Sequence, residues 1–389
     1  MIFEIIISLI ILVFTFILIK KSFKYQNEII CHIKKPTDPI EKLKQFKLIE
    51  ISKPSESNFT VLSYNILTQK YMKRKEIKSL CIENRIKKII IEITSLNPDI
   101  FCLQESTYDV YKHYLKPSLS STYHIITFDN YDSYLMNVIG IKRTRFNVIK
   151  EYNFDIKSIN IDVKGNRGVM GVELEDVLIQ GKKLFVINVH FPWKPIYEYE
   201  KAKIMQFIFD FILQRNDEHI IIAGDFNSLV NSVVVRMIYY EEWYNELNRN
   251  MKYIGNFIFN KKELELMDNM RFKMKKKENF KRRVEALLSS SKKIYELYQF
   301  KSAYDDYLLY SNPKNDINNH MNYYYMRYHP NFTNYTSTFK ETIDYIFYSN
   351  SLRKVKIGSF PSEDEIHFFL PDEVYPSDHL KLFAQFAYK

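Results

Sequence analysis

Three cysteines in 389 residues, Cys31, Cys81 and Cys102, are too few and too irregularly spaced for a disulfide framework or a zinc-ligand pattern. Cys102 sits inside an apolar run and reads as a core residue, and the shortage of cysteine fits a reducing compartment. An internal repeat is also missing. The N-terminus has neither a basic leader stretch nor a small-x-small cleavage site, which argues against a cleaved signal peptide. Apolar residues make up 46% of the chain and aromatic residues 16%, ample for a core. The length allows one large domain or two ordinary ones.

The net charge of +10 is uneven. Residues 261–293 carry 12 Lys and Arg against 5 Asp and Glu. Such a surplus favours a polyanion, RNA or anionic lipid, although a solvated helical face has the same composition. Residues 1–19, MIFEIIISLIILVFTFILI, are long enough to cross the hydrocarbon of a bilayer and predict a transmembrane anchor. Lys20, Lys21 and Lys24 all follow it, which places the C-terminal side in the cytosol. Residues 20–57 are polar, with Pro36, Pro39 and Pro54, and read as a tether carrying one short strand near 46–52. The main domain then spans 58–389, with a basic helical insertion at about 250–300.

Within that domain the chemistry is organised around Ile220–Ser228, IIIAGDFNS: an apolar strand followed by a tight acidic turn. Gly224 lets the backbone turn, and Asp225 and Asn227 lie two residues apart. A carboxylate there can position or deprotonate a water, and the amide can donate to a phosphate oxygen, a combination suited to phosphate-ester hydrolysis beside a metal. Gly-Asp turns are also common as plain structure. Other strand ends repeat the plan: Asn65 after FTVLSY, Glu105 after PDIFCLQ, His190 after LFVINV, Asp344 at the start of DYIFYS, and Asp378-His379 before the last strand. Helices are predicted at 83–96, 106–116, 197–213 and 229–244, and further strands at 123–128, 136–142, 145–149 and 169–174. This mixed order indicates an α/β domain.

Taken together, SYNILTQ at 63–69, LQE at 103–105, HFPW at 190–193, FKSAY at 300–304, NFTNYTSTFKETIDYIFYS at 331–349 and PSDHLKLFAQF at 376–386 resemble the endonuclease/exonuclease/phosphatase superfamily, the deoxyribonuclease-I-like enzymes. The closer resemblance is to the clade of carbon-catabolite-repression deadenylases, nocturnin, Angel proteins and 2′-5′ phosphodiesterases. It implies a two-sheet α/β sandwich with outer helices and Mg²⁺ (or Mn²⁺) as cofactor. In that pattern Glu105 is the metal ligand, a hard oxygen donor for a hard ion. Asn65 orients that carboxylate or the phosphate, and Asp225 holds the attacking water. Asn227 donates to a phosphate oxygen, and His190 contacts the phosphate from the opposite wall. Asp344 pairs with His379, which stabilises phosphoryl charge, and Asp378 helps a second metal or orients His379. Asn166, Phe332, Asn334 and Tyr335 are the substrate-binding candidates, the rings as stacking surfaces for a base.

No leucine-rich-repeat region precedes the catalytic domain, unlike in deadenylase subunits. The resemblance implies a Mg²⁺-dependent phosphodiesterase acting on RNA, a 3′ exoribonuclease of the deadenylase type. The alternatives are a phosphatase of nucleotide 2′- or cyclic phosphates and an inactive, membrane-tethered RNA-binding protein. The expected partners are RNA or a nucleotide phosphate and, through residues 1–19, a membrane.

Overall fold

The computed structural model describes residues 46–389 except 56, 73–79, 128–133, 155, 160–167, 216–217, 240–289, 312–328 and 367–368. The expected anchor at 1–19, most of the tether at 20–57, Asn166 and most of the basic insertion at about 250–300 lie outside the described residues. Among the described residues no helix is long and apolar enough to cross a membrane.

Alternating apolar residues build two facing sheets. The first has seven strands: β1 (Leu48–Glu50), β2 (Asn58–Asn65), β3 (Ile100–Ser106), β4 (Tyr123–Thr127), β5 (Met136–Lys142), β14 (Leu352–Gly358) and β15 (Leu382–Tyr388), in the order β1-β14-β15-β2-β3-β5-β4. The second has six: β6 (Phe146–Phe154), β7 (Val169–Asp176), β8 (Lys183–His190), β9 (His219–Asp225), β10 (Lys301–Ser302) and β13 (Asp344–Tyr348), in the order β10-β13-β9-β8-β7-β6. Each sheet has one parallel pair, β2 with β3 and β8 with β9, and is otherwise antiparallel. A parallel pair needs a long crossover, and each crossover is a helix: α1 (Ile82–Leu96) between β2 and β3, and α2 (Glu198–Leu213) between β8 and β9. A short hairpin, β11 (Asn334–Tyr335) with β12 (Lys340–Glu341), and a helix α3 (Val233–Ile238) complete the parts that matter below.

The period-two pattern divides the core into layers. Phe59, Val61, Ile100 and Cys102 of the first sheet meet Val172, Leu174, Val186, Ile221, Ala223 and Ile346 of the second between the sheets. The alternate residues Ile220, Ile222, Tyr345 and Phe347 face outward onto α2 and α3. Leu62, Tyr64, Phe101 and Leu103 face α1 through Ile86, Ile89 and Ile93. Each fully buried Ile, Val or Phe contributes about 1.5–3 kcal/mol, so both strand sets are locked in register. A one-residue slip would turn every inner residue outward.

The expected two-sheet sandwich with outer helices is the observed architecture. The predicted helix at 229–244 is described only as α3, since residues from 240 to 289 lie outside the described set. The one at 106–116 runs over 108–119 as α-helix with a π-helical turn at Tyr111–Leu115.

Candidate active site

At one end of the sandwich the inner-face apolar residues give way to polar ones. Gln104 and Asn188 come first, fully buried, with Gln104 Nε2 donating to Asn188 Oδ1 across the sheets at 2.8 Å. Asn188 Nδ2 donates in turn to the carbonyls of Leu103 and Val138. This amide layer closes the core and forms the floor beneath the next inner-face residues. In β8, β9 and β13 these are His190, Asp225 and Asp344, which are direct cross-strand neighbours: Asp225 pairs with His190 on one side and Asp344 on the other. The period-two rule that buries Ile221 and Ala223 therefore also brings these three side chains to one rim.

Two backbone features complete the rim. Gly224 has φ +143°, and a Cβ there would lie 2.0 Å from the Val189 carbonyl oxygen, so only glycine permits this approach of β9 to β8. Glu105 has φ +60° and sits where the β3–β5 register shifts between Leu103 and Ser106. Simple alternation would turn Glu105 outward with Leu103. The bulge re-aims it into the site, where Oε2 accepts from Thr68 N at 3.1 Å and Oε1 lies 3.7 Å from His190 Nε2.

Asp225 is the hub. Asn65 Nδ2, from the opposite sheet, donates to its Oδ2 at 2.9 Å. Asn227, at φ +47°, donates through its backbone N–H to Oδ1 at 2.8 Å and through Nδ2 to Oδ2 at 3.1 Å. His190 Nε2 and His379 Nε2 stand 3.6 and 3.8 Å from the same Oδ2. His379 Nδ1 meets Asp344 at 2.9 and 3.1 Å, and Asp344 Oδ2 also accepts from Thr333 Oγ1 at 2.6 Å. Asp344 thus fixes the ring and leaves Nε2 facing Asp225.

The electrostatics follow from crowding. Burial first, and then the Asp344 carboxylate, push Asp225 up to about 7; His379 and the hydrogen bonds from Asn65 and Asn227 hold it from rising further. Burial pulls the His379 imidazole down, but the charge and hydrogen bond of Asp344, with Asp225 and Asp378 behind them, outweigh it and hold His379 well above its usual value. The site therefore pairs an imidazolium with a carboxyl that changes protonation near neutrality.

The sequence-derived set converges: Asn65, Glu105, His190, Asp225, Asn227, Asp344 and His379 share one contact network. Asp378 lies at its edge, with Oδ1 4.0 Å from His379 Nε2. Three candidates lie at the mouth. Asn334 forms an isolated bridge with His379, and Tyr335 N donates to the Asp378 carbonyl. Phe332 differs from its expected role as a stacking surface. It is 5% exposed and packs on Ile366, Leu370 and Leu380, with Tyr335 at 5.3 Å. Tyr335 is half-buried and keeps open surface, and Lys340 Nζ lies over its ring at 4.9 Å.

Several site residues escaped sequence reasoning. Arg85, fully buried in α1, donates to the carbonyls of Ile66, Leu67 and Pro376 and so ties the loop after Asn65 to the loop before Asp378. Burial lowers its guanidinium only to about 10, so it remains charged. Ser377 Oγ adds a second tie, to the Asn65 carbonyl at 2.6 Å. Thr333, Gln104 and Asn188 were also missed. A buried Arg in an amphipathic helix and polar residues inside apolar strands were the available signals.

The donor set fits a hard divalent cation. Glu105 Oε2 accepts from Thr68 N, and Asp378 Oδ1 is buried without a hydrogen-bond partner among the described residues. Asp225, Asp344 and His379 also bring ligand atoms within 4.8 Å of one another. Glu105 and Asp378 are hard oxygen donors that would suit such an ion, whereas His379 Nδ1 is committed to Asp344.

Residues 62–379 match the Endonuclease/Exonuclease/phosphatase family, and the chain belongs to that family. It is similar to the CCR4-Not complex 3′-5′-exoribonuclease subunit Ccr4 of Candida albicans, 23% identical over 388 residues that cover 88% of this chain and 43% of that protein. The probable Ccr4 subunit of Enterocytozoon bieneusi is 27% identical over 328 residues, covering 75% of this chain and 56% of that one. The chain thus spans about half the length of these curated relatives. In fold it is similar to the human Nocturnin catalytic domain with bound sulfate, at TM-score 0.58 and 18% identity, covering 89% of this chain and 99% of that one. It is likewise similar to ANGEL2, a 2′,3′-cyclic phosphatase, at TM-score 0.62 and 22% identity, covering 88% and 98%.

Proposed function

We propose that this protein is a divalent-metal-dependent phosphodiesterase that shortens RNA from its 3′ end, in the manner named for its Ccr4 relatives. The observation that carries this reading is the placement of Asp225 between two imidazoles, His190 and His379, with Asn65 and Asn227 donating to its oxygens. Asp225 orients a water and accepts its proton, and a base that titrates near neutrality suits that task. His379, held protonated by Asp344, donates from Nε2 to a phosphate oxygen as charge develops. His190 approaches the same oxygen set from the Glu105 side. Asn227 holds Asp225, and also donates through Nδ2 to the Phe191 carbonyl at 3.0 Å, so its role is to brace the base. Glu105, with Asp378 nearby, would hold magnesium or manganese, which would supply positive charge to the phosphate.

A second reading is removal of a 2′- or cyclic phosphate from a nucleotide, the activity named for the fold neighbour ANGEL2. It is favoured by one feature: of the two rings expected to stack a base, Phe332 is consumed by packing and Tyr335 alone keeps open surface, enough for a single base. The purified chain, incubated with a 5′-labelled oligoadenylate and with an oligonucleotide ending in a 2′,3′-cyclic phosphate, separates the two. Progressive shortening supports the exonuclease; loss of the terminal phosphate without shortening supports the phosphatase. An inert protein would return the third expectation, RNA binding without hydrolysis, although Glu105, Asp225 and His379 are all present and joined in one network.

The same proposal includes an anchor at residues 1–19 with the catalytic domain facing the cytosol, resting on the apolar run and the lysines that follow it. Protease digestion of sealed membranes tests it: a domain shielded until detergent is added would reverse the topology.

A further inference from the structure

We propose that Lys201 is a positioning residue for the Asp225 base, acting through the backbone of Asn227 and resting on the phosphodiesterase reading above. Lys201 lies in the first turn of α2 and is 1% exposed, sealed beneath the site. Its ammonium has three protons, and all three are used: on Glu198 Oε2 at 3.2 Å, on Ser228 Oγ at 3.4 Å and on the Asn227 carbonyl. Glu198, 3% exposed, is equally committed. Oε2 also accepts from Ser228 Oγ at 3.3 Å, and Oε1 accepts from Val234 N at the start of α3. Tyr345 OH closes the same turn from β13 by donating to the Ser228 carbonyl at 2.9 Å.

The pair therefore grips three pieces at once: the start of the helix that follows the His190 loop, the turn 225–228, and the N-terminus of α3. The turn needs this grip. Asn227 sits at φ +47°, a conformation disfavoured for a residue with a side chain, and from it donates both its N–H and its Nδ2 to Asp225. Lys201 holds the carbonyl of that same residue. If the carbonyl is released, the peptide can rotate toward an ordinary φ, and both donors then leave Asp225. A buried ion pair is a poor way to gain stability, because an apolar pair of equal volume often does as well. A precise hold on a strained turn beside a catalytic carboxylate gives the charges a use that apolar packing could not supply.

The test compares Lys201→Met with the double variant Glu198→Leu/Lys201→Met, using Asp176→Asn as a control that disturbs a distant buried ion pair. Lys201→Met is expected to melt early because it strands Glu198. The double variant removes the stranded charge and regains most of the melting temperature. Its kcat is expected to stay down by about a hundredfold, the scale of a misplacement of about 1 Å, with KM within about twofold. The control is expected to lose stability and keep its kcat. Hydrogen exchange at the Asn227 amide supplies a readout independent of turnover, and is expected to accelerate about a hundredfold in the double variant. Recovery of kcat together with melting temperature, or an Asn227 amide protected as in the wild type, overturns the proposal. A wild type inert toward every phosphate ester would defeat the function reading instead, while the exchange measurement would still decide the role of Lys201.

Discussion

The two ends of the second sheet bury the same residue type and do opposite things with it. At one end Asp176, 2% exposed, accepts from Arg145 Nη2 at 2.7 Å and from the amides of Leu178 and Ile179. Its charge is matched by a cation and shared over two N–H groups. At the other end Asp225, 1% exposed, has no arginine or lysine on its carboxylate among the described residues, faces a second carboxylate in Asp344, and is pushed up to about 7. Burial alone therefore does not make a functional carboxylate. What distinguishes the two is the choice of neighbours, a full cation against a like charge tempered by the His379 imidazole and two amide donors.

The sharpest way to break this comparison is to neutralise each aspartate in turn. Asp225→Asn preserves shape and is expected to lower kcat about a thousandfold, within the range of one general base, while RNA affinity stays within a few-fold by filter binding. Asp176→Asn is expected to lower the melting temperature and leave kcat unchanged. Equal loss of turnover in both would mean that the rim is no more special than the far end. Next in size is Glu105→Ala, expected to cost about a hundredfold in rate, with EDTA abolishing the activity of the wild type. Full activity in EDTA would remove the metal from the account.

The pH dependence of stability sharpens the contrast further. Asp225 and His379 both bind protons more tightly when folded than when unfolded, so each contributes stability at low pH that is lost as pH rises. For Asp225 the loss runs from about 3.9, the unfolded value, to the raised value of about 7. For His379 it begins above its unfolded value of about 6.5 and continues upward. In chelator, the melting temperature is expected to fall as pH rises from 4 to 8, and Asp225→Asn to flatten the lower part of that fall. A slope unchanged in Asp225→Asn would show that the carboxyl is not the group responsible. The smallest expected effect is at the mouth: Tyr335→Ala should raise KM for RNA about tenfold, the order of one lost base stack, without changing thermal stability. Phe332→Ala should do the reverse, lowering the melting temperature through a cavity in its apolar cluster.

Much of this could be read from residue order alone, because strand alternation is a local signal. Once Ile221 and Ala223 are inner, Asp225 is inner, and the same parity places Asn65, His190 and Asp344. Glu105 marks where that signal fails: parity sends it outward, and only the bulge with its left-handed residue returns it to the site. The fixing of the loops was not legible, because it rests on contacts between distant residues, such as Arg85 with Pro376 and Ser377 with Asn65. Phe332 and Tyr335 look alike in sequence and part company only when Ile366, Leu370 and Leu380 close over the first. Lys201 and Glu198 read as ordinary polar positions of an amphipathic helix until the 225–228 turn is seen above them.

The most direct measurement follows a 5′-labelled RNA of about twenty nucleotides with an oligoadenylate 3′ end, incubated with Mg²⁺ and the full chain. The wild type is expected to give a ladder of 5′-labelled products shortening one nucleotide at a time, Asp225→Asn to leave the RNA intact, and Asp176→Asn to give the wild-type ladder. An intact RNA with the wild type, or the same ladder from Asp225→Asn, would contradict the account.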